Sequence, residues 1–303
     1  MKKLFLTLLF SALTAHASDT IKIVVPYAAG GNTDLVARLY AKELAKQDIN
    51  AVVINRPGAN GFIGTQEVIG ARPDGKTMLF SGVAGVVYSS VTNPAAYNAM
   101  NRLVPVIQTA IYGHTLVAHR SSDIKTFDQL FRALKTRSVA IGITDSTMRS
   151  AIEELFPNEP NLLMVNYSGD AQALLGLLNR SVEIATLTWS QDHQIQQGEL
   201  VALAVVTAKG RNNVKSLIEF GYSVSHEGWN GFWLPPETPK DIRDRLYVAI
   251  ERARADQDLQ KQITTVLHGS IAPKRKPEEF ANVIDNEFAK TLARNVRRSQ
   301  KSQ

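Results

Sequence analysis

"VVPYAAGGNTDLVARL", Val24 to Leu39, is the stretch on which the fold turns. The apolar run from Ile21 to Val25 is rich in β-branched residues and is stopped by Pro26, which has no N–H to give to a sheet. Two glycines, Gly30 and Gly31, follow. After them Leu35, Leu39 and Leu44 mark one face of a run whose charges lie opposite, the pattern of an amphipathic helix. Strand, tight turn and helix in that order predict a βαβ unit and a parallel sheet.

The same order continues outward. "AVVINRPG" (51–58) reads as a strand and turn, "FIGTQEVIGA" (62–71) as a helix and "TMLFSG" (77–82) as a third strand. Residues 91–105 form a looser segment. Beyond it "TLVAH", "SVAIGI", "NLLMVNY", "VEIATLTW" and "LVALAVVT" are strands, and "TFDQLFRALK", "MRSAIEELF" and "AQALLGLLN" are the helices between them. From Gly228 the character changes to an aromatic strand, a Pro-rich turn and a long amphipathic helix. A last helix is entered through Pro277. The expected architecture is α/β with two lobes, each a mainly parallel sheet flanked by helices. One lobe comprises 18–118 plus 228–303, the other 119–227, with a cleft between them.

Residues 1–17 are excluded from that frame. "MKKLFLTLLFSALTAHA" has two lysines, a short apolar run and small residues at a cleavage position, the layout of a secretory signal peptide. Its apolar run is far shorter than the roughly 20 residues needed to cross a bilayer. The 303-residue chain is 44% hydrophobic and 20% charged, ordinary for a protein with a real core. Its net charge of +6 drops by two once Lys2 and Lys3 are removed, and no basic patch interleaved with aromatics points to nucleic acid. The absence of cysteine excludes disulfides, thiolate metal sites and cysteine nucleophiles.

Enzymatic motifs fail on context. "GARPDGKT", Gly70 to Thr77, matches the Walker A spacing. A phosphate cradle needs a strand before it and a helix after it, and here the order is reversed. Pro73 also removes a donor, and Pro-Asp-Gly is a turn signal. His226-Glu227 is followed by Asn230 where a second zinc-binding histidine would stand. No nucleophile-elbow pattern accompanies any serine. No metal or cofactor is expected, and no catalytic residue is assigned.

Three strand-to-helix turns carry more information. In the first, Gly30 and Gly31 let the backbone turn sharply, and Asn32 or Thr33 can cap the following helix. The exposed N–H groups at its N-terminus then favour an anion, while Asp34 complements the helix dipole as a structural group. The second is Thr144, Ser146 and Thr147; the third is Ser168, Gly169 and Asp170. In such sheets these turns lie at the carboxyl edge, where ligands bind. Opposed across a cleft, they suit a hinged binding protein.

"VPYAAGGNTDLVARLYAKEL", "INRPGANGFIGTQEVIGARPDGKTMLF", "AAYNAMNRLVPVIQ", "VNYSGDAQALLGLL", "GELVALAVVTAKG" and "GFWLPPETPKDI" together resemble the periplasmic solute receptors of tripartite tricarboxylate transporters, the Bug-type receptors. The similarity runs from about Ile21 to Phe280. It implies a two-lobe periplasmic binding fold, not an enzyme, that closes on an organic anion and hands it to membrane transporter subunits. The receptor is expected to be a periplasmic monomer. The resemblance places the ligand against Ala28, Ala29, Gly30, Gly31, Asn32, Thr33 and Asp34 in one lobe and Ser168, Gly169, Asp170 and Ala171 in the other. Thr144, Ser146, Thr147, Ser81 and Gly82 would line the same cleft.

The chain also departs from that family's pattern. Ser168 and Asp170 stand where a lysine and a small residue are usual, Asp145 enlarges a turn usually made of Ser and Gly, and "EIATLTW" brings Trp189 to the cleft. A lost cation and two added carboxylates point to a monocarboxylate. It would be amine-bearing, with Asp145 or Asp170 as the partner, or aromatic, packed on Trp189 or Tyr27. The bland reading is that both aspartates only cap helices. The alternatives in function are a secreted hydrolase using a cleft serine or His193, and a sensor acting through a sensor kinase.

Overall fold

The computed structural model describes residues 20–92 and 102–301. The signal segment and residues 93–101 of the looser stretch lie outside them. No helix among the described residues is long and apolar enough to cross a membrane.

The first lobe is built on β1 (Ile21–Val25), β2 (Ala51–Asn55), β3 (Thr77–Gly82), β4 (Val104–Tyr112), β10 (Gly228–Leu234) and β11 (Ser270–Ile271), in the order β11-β4-β10-β3-β1-β2. The second is built on β5 (His114–His119), β6 (Val139–Ile143), β7 (Leu162–Asn166), β8 (Ile184–Thr188) and β9 (Leu200–Val205), ordered β7-β6-β8-β5-β9. In the first sheet β1, β2, β3 and β4 run one way and β10 and β11 the other. In the second, only β5 opposes the rest. Each sheet therefore receives the strand arriving from the other lobe, β10 in the first and β5 in the second, antiparallel to both of its neighbours.

Flanking these sheets are α1 (Asn32–Ala45), α2 (Phe62–Ile69), α3 (Phe127–Thr136), α4 (Ser146–Leu155), α5 (Asp170–Leu178), α6 (Lys240–Arg254) and α7 (Pro277–Lys301). Along α1 the fully buried face is Val36, Ala37, Tyr40 and Leu44. Leu35 and Leu39 pack at its margin, one residue round the helix from the face the leucine spacing suggested. Tyr40 is the reason, since its ring enters the core beside Phe80 and Phe232. The other side of the first sheet packs Val24, Trp233 and Phe280. In the second lobe Leu116, Phe127, Ile141 and Ile152 form the core.

Two differences from the sequence reading matter for the site. The strand β4 emerges from the end of the looser segment and sits between β10 and β11. The whole of β5 pairs in the second sheet, so the chain crosses between lobes at Gly113 rather than at 118. Glycine is needed at the crossing because a Cβ there would fall on the Trp189 ring and beside Thr207. The return strand runs alongside: Val206 N donates to His114 O at 2.9 Å, and His226 N donates to Val206 O at 2.8 Å. "GARPDGKT" is the end of α2 and a turn into β3, closed by Lys76 N donating to Asp74 Oδ1 at 2.9 Å.

Candidate functional site

The first lobe contributes the turn after β1. Gly30 takes φ +82°, a conformation that favours glycine. Its N–H donates to Asp34 Oδ2 at 2.9 Å. The Asp34 carboxylate also accepts from Asn55 Nδ2 at 3.0 Å and Arg38 Nε at 3.0 Å. Burial would push this carboxyl up, but Arg38, Gly30 and Asn55 hold it below its ordinary value. Asp34 thus shapes the turn with both oxygens engaged. Gly31, not Asn32 or Thr33, is the N-cap of α1, and it supplies no side-chain cap. The helix start is therefore left without a polar lid from its own sequence, and Asn32 and Thr33 are already helical.

Across from it stand the turns of the second lobe, and the two sides touch. Ala28 N donates to Ser168 O at 2.9 Å, and Ser146 Oγ donates to Ala84 O at 2.9 Å. Space for a Cβ at Gly30 ends on Ala171, and at Gly169 on Tyr27 and Ala28. Asp170, 4% exposed, accepts from Thr188 Oγ1 at 2.6 Å, Thr188 N at 3.1 Å and, from the other lobe, Asn32 N at 3.4 Å. Burial pushes its carboxyl above the usual range, against the pull of these donors. Asp145 is the N-cap of α4, accepting from Met148 N at 2.8 Å. Its Oδ2 lies 3.3 Å from His114 Nε2.

Several buried polar atoms here have no hydrogen-bond partner among the described residues: Asn32 Nδ2, Asn230 Nδ2, Thr147 Oγ1 and Trp189 Nε1. Buried groups of this kind are rare in folded proteins, and each calls for an explanation. Asn230 is fully buried on β10, registered between Gly82 of β3 and Ala110 of β4, and its Oδ1 accepts from Thr33 Oγ1 at 3.5 Å. Ser81 is fully buried beside it. The Ser81 and Tyr27 hydroxyls bound the space over Gly85. Tyr112 packs edge-on to His114 at 5.5 Å. Its phenol is pushed well up by burial first, then by the charges of Asp145, Tyr27 and Asp170. The fields of both aspartates thus converge on this wall.

Not every residue expected from sequence faces the gap with a free group. The Thr144 hydroxyl pairs with Thr186 Oγ1 at 3.2 Å within the second lobe, and Ser146 is engaged in the lobe–lobe bond already described. Trp189 lies over the crossing at Gly113, with the Arg211 guanidinium 4.4 Å above its ring. His193 is exposed and contacts Gln194 at 3.0 Å, away from the buried cluster. Sequence reasoning missed Asn230, Tyr112, His114 and Thr188. The one signal available was Asn230 itself, a lone amide in an aromatic strand, "GWNGFW".

The charge of Asp145 gives a pH test. Burial raises its carboxyl, but His114 and the Met148 N–H outweigh this and set the folded value below the ordinary 3.8. A lowered folded value means stability that is present above the unfolded value and lost as pH falls through the folded one. Asp145→Asn keeps a capping side chain and removes the charge. Its melting temperature is expected to lie below the parent's at neutral pH and to converge with it in more acid solution. A gap that persists unchanged at pH 2 would contradict this account of the His114–Asp145 pair.

Comparison with known proteins bears on the family and the fold. A profile of the tripartite tricarboxylate transporter family receptor matches residues 36–293. Protein BugT of Bordetella pertussis is 28% identical over 250 residues, covering 78% of this chain and 76% of BugT. Among solved structures, MatC from Rhodopseudomonas palustris with bound malate superposes with a TM-score of 0.83 at 22% identity, covering 91% of this chain and 98% of MatC. R. palustris Rpa4515 with adipate gives 0.81 at 19% identity, covering 92% and 97%. At these identities the structural likeness establishes the shared two-lobe fold.

Proposed function

The chain belongs to the tripartite tricarboxylate transporter receptor family, and from that premise we propose that it is a periplasmic receptor that closes on a small organic acid and delivers it to the membrane subunits of such a transporter. The family is one of solute receptors, not enzymes. The observation that carries the reading is the pair of buried donors without partners, Asn32 Nδ2 and Asn230 Nδ2, where the two lobes meet at a helix start that has no side-chain cap from its own lobe. Such a constellation suits a carboxylate, since N–H groups and the helix dipole both favour negative charge. Malate in MatC and adipate in Rpa4515 are carboxylates held by the same fold.

In this reading the turn at Tyr27 to Asp34 and the turn at Ser168 to Ala171 meet over the ligand. Ser81, Gly82, Thr144, Ser146, Thr147 and Trp189 complete the walls. Ligand selects the closed state because only that state presents both lobes at once. The segment Met1–Ala17 directs export and is cleaved.

Two measurements on the exported form test the proposal. Native mass spectrometry is expected to show a co-purified small acid. Small-angle scattering is expected to show a more compact particle when that acid is added back to protein stripped of it. Chemical turnover of the acid, abolished by a single cleft substitution, would instead establish an enzyme.

A further inference from the structure

We propose that Asp170, with Asp145 beside it, selects zwitterionic ligands that carry one carboxylate and one protonated amine. The inference rests on the receptor reading above and narrows its ligand class. Asp170 belongs to the second lobe, yet its Oδ2 accepts from Asn32 N at the start of α1 in the first. A carboxylate of the protein itself therefore already faces the helix N-terminus that would attract an anion. Asp145 adds a second negative charge from the neighbouring turn, opposed by His114 at 3.3 Å.

Arginine side chains near the site are committed elsewhere. Arg38 is paired with Asp34, and Arg211 is paired with Asp192 while it stacks on Trp189. A ligand with two carboxylates would place its second charge against two fixed aspartates in a poorly solvated gap, where repulsion between like charges is large. A zwitterion meets the site on both counts. An ionised carboxylate offers about four acceptor positions. Asp170 fills three of them, with Thr188 N, Thr188 Oγ1 and Asn32 N, and the last is available to an N–H of an ammonium. The unpartnered amides of Asn32 and Asn230, both at least nine-tenths buried, remain as donors for the single ligand carboxylate.

Calorimetric titration of the mature chain, stripped of bound solute, separates the possibilities. The probes are matched pairs that differ only in the amine: alanine and propionate, 4-aminobutyrate and butyrate, phenylalanine and 3-phenylpropionate, with succinate alongside. The expected result is that the amine-bearing member of at least one pair binds at least ~10-fold tighter than its partner, about 1.4 kcal/mol by the usual conversion. Succinate is expected to bind more weakly than that member. Asp170→Asn is expected to bring the two members of the pair within roughly threefold of each other, the scale of a lost charge contact. Amine-free acids that bind as tightly as their amine partners, or a ratio unchanged by Asp170→Asn, overturn the inference and leave the receptor reading intact. Silence from every probe, succinate included, overturns both. The ratio measured in the unsubstituted protein decides the matter even if Asp170→Asn fails to fold.

Discussion

Gly31→Leu is expected to abolish ligand binding in a protein that remains folded. Gly31 has φ −80° and ψ 167°, extended backbone open to any residue, so the substitution brings no strain within its own lobe. What it changes lies across the gap. A Cβ at Gly31 already comes within 3.7 Å of the Asp170 backbone N in the second lobe, while within its own lobe it meets only Ala28 O, at an ordinary 3.6 Å. The rest of a leucine side chain has to enter the space where the second lobe docks. Closure is blocked while the open form is untouched. We expect affinity for the cognate acid to fall by at least ~100-fold, about 2.7 kcal/mol. The melting temperature without ligand should stay near the parent's. Gly31→Ala is expected to be mild, because its Cβ meets only ordinary contact distances. Calorimetry reads the affinity and scattering reads the closure. Normal binding by Gly31→Leu would mean that the lobes do not meet at this turn.

Phe232→Ala should produce the largest loss of stability. Phe232 is fully buried in the middle of the first sheet, its ring 4.6 Å from Phe80 and 5.4 Å from Tyr40. It ties β10, the strand returning from the second lobe, to the helix layer of the first. Truncating a buried phenylalanine removes its transfer free energy and leaves a cavity that close-packed neighbours only partly fill, at a cost of about 3–5 kcal/mol. The check is the denaturant midpoint at an unchanged slope. A shift equivalent to less than about 1 kcal/mol would show that the three rings do not form one packed unit. Asn230 follows Trp229 on the same strand, so Phe232→Ala is also expected to loosen the amide that faces the cleft.

The alternation of strand and helix was legible because each element carries its own signal. The strand Ile21–Val25 is apolar and β-branched, α1 is periodic, and the turn at 70–77 has Pro and Gly at the required places. Local order alone sufficed to read "GARPDGKT" as a turn into β3, since a phosphate cradle is defined by what precedes and follows it. Less legible was β4, whose "VPVIQTAIY" begins beside Pro105 at the end of a segment with no clear period. It is strand because β10 and β11 pair with it on either side, and those partners are remote in sequence.

The turns expected to hold the ligand were visible as strand–glycine–helix junctions, but the roles of their side chains were not. Asn32 or Thr33 as a cap was a sound local expectation, yet the helix begins one residue earlier, at a glycine cap. The bland reading of the two aspartates divides. Asp145 does cap α4, while Asp170 reaches Thr188 on its own lobe and Asn32 on the other. Nothing in the spacing of residues 138 apart could reveal that bond.

By itself the sequence determined most of the strands and helices, though not β4, that the turns between them carry glycine and small polar residues, and that no thiol chemistry is present. These follow from neighbours a few residues apart, through φ/ψ limits and the period of apolar side chains. Only the tertiary structure decided that Asn230, Tyr112 and His114 share a wall with those turns, that the chain crosses between lobes at Gly113, and that Asp170 faces the start of α1. Those facts depend on two sheets brought together by packing, and the free energy of packing depends on surfaces that no short window of sequence contains.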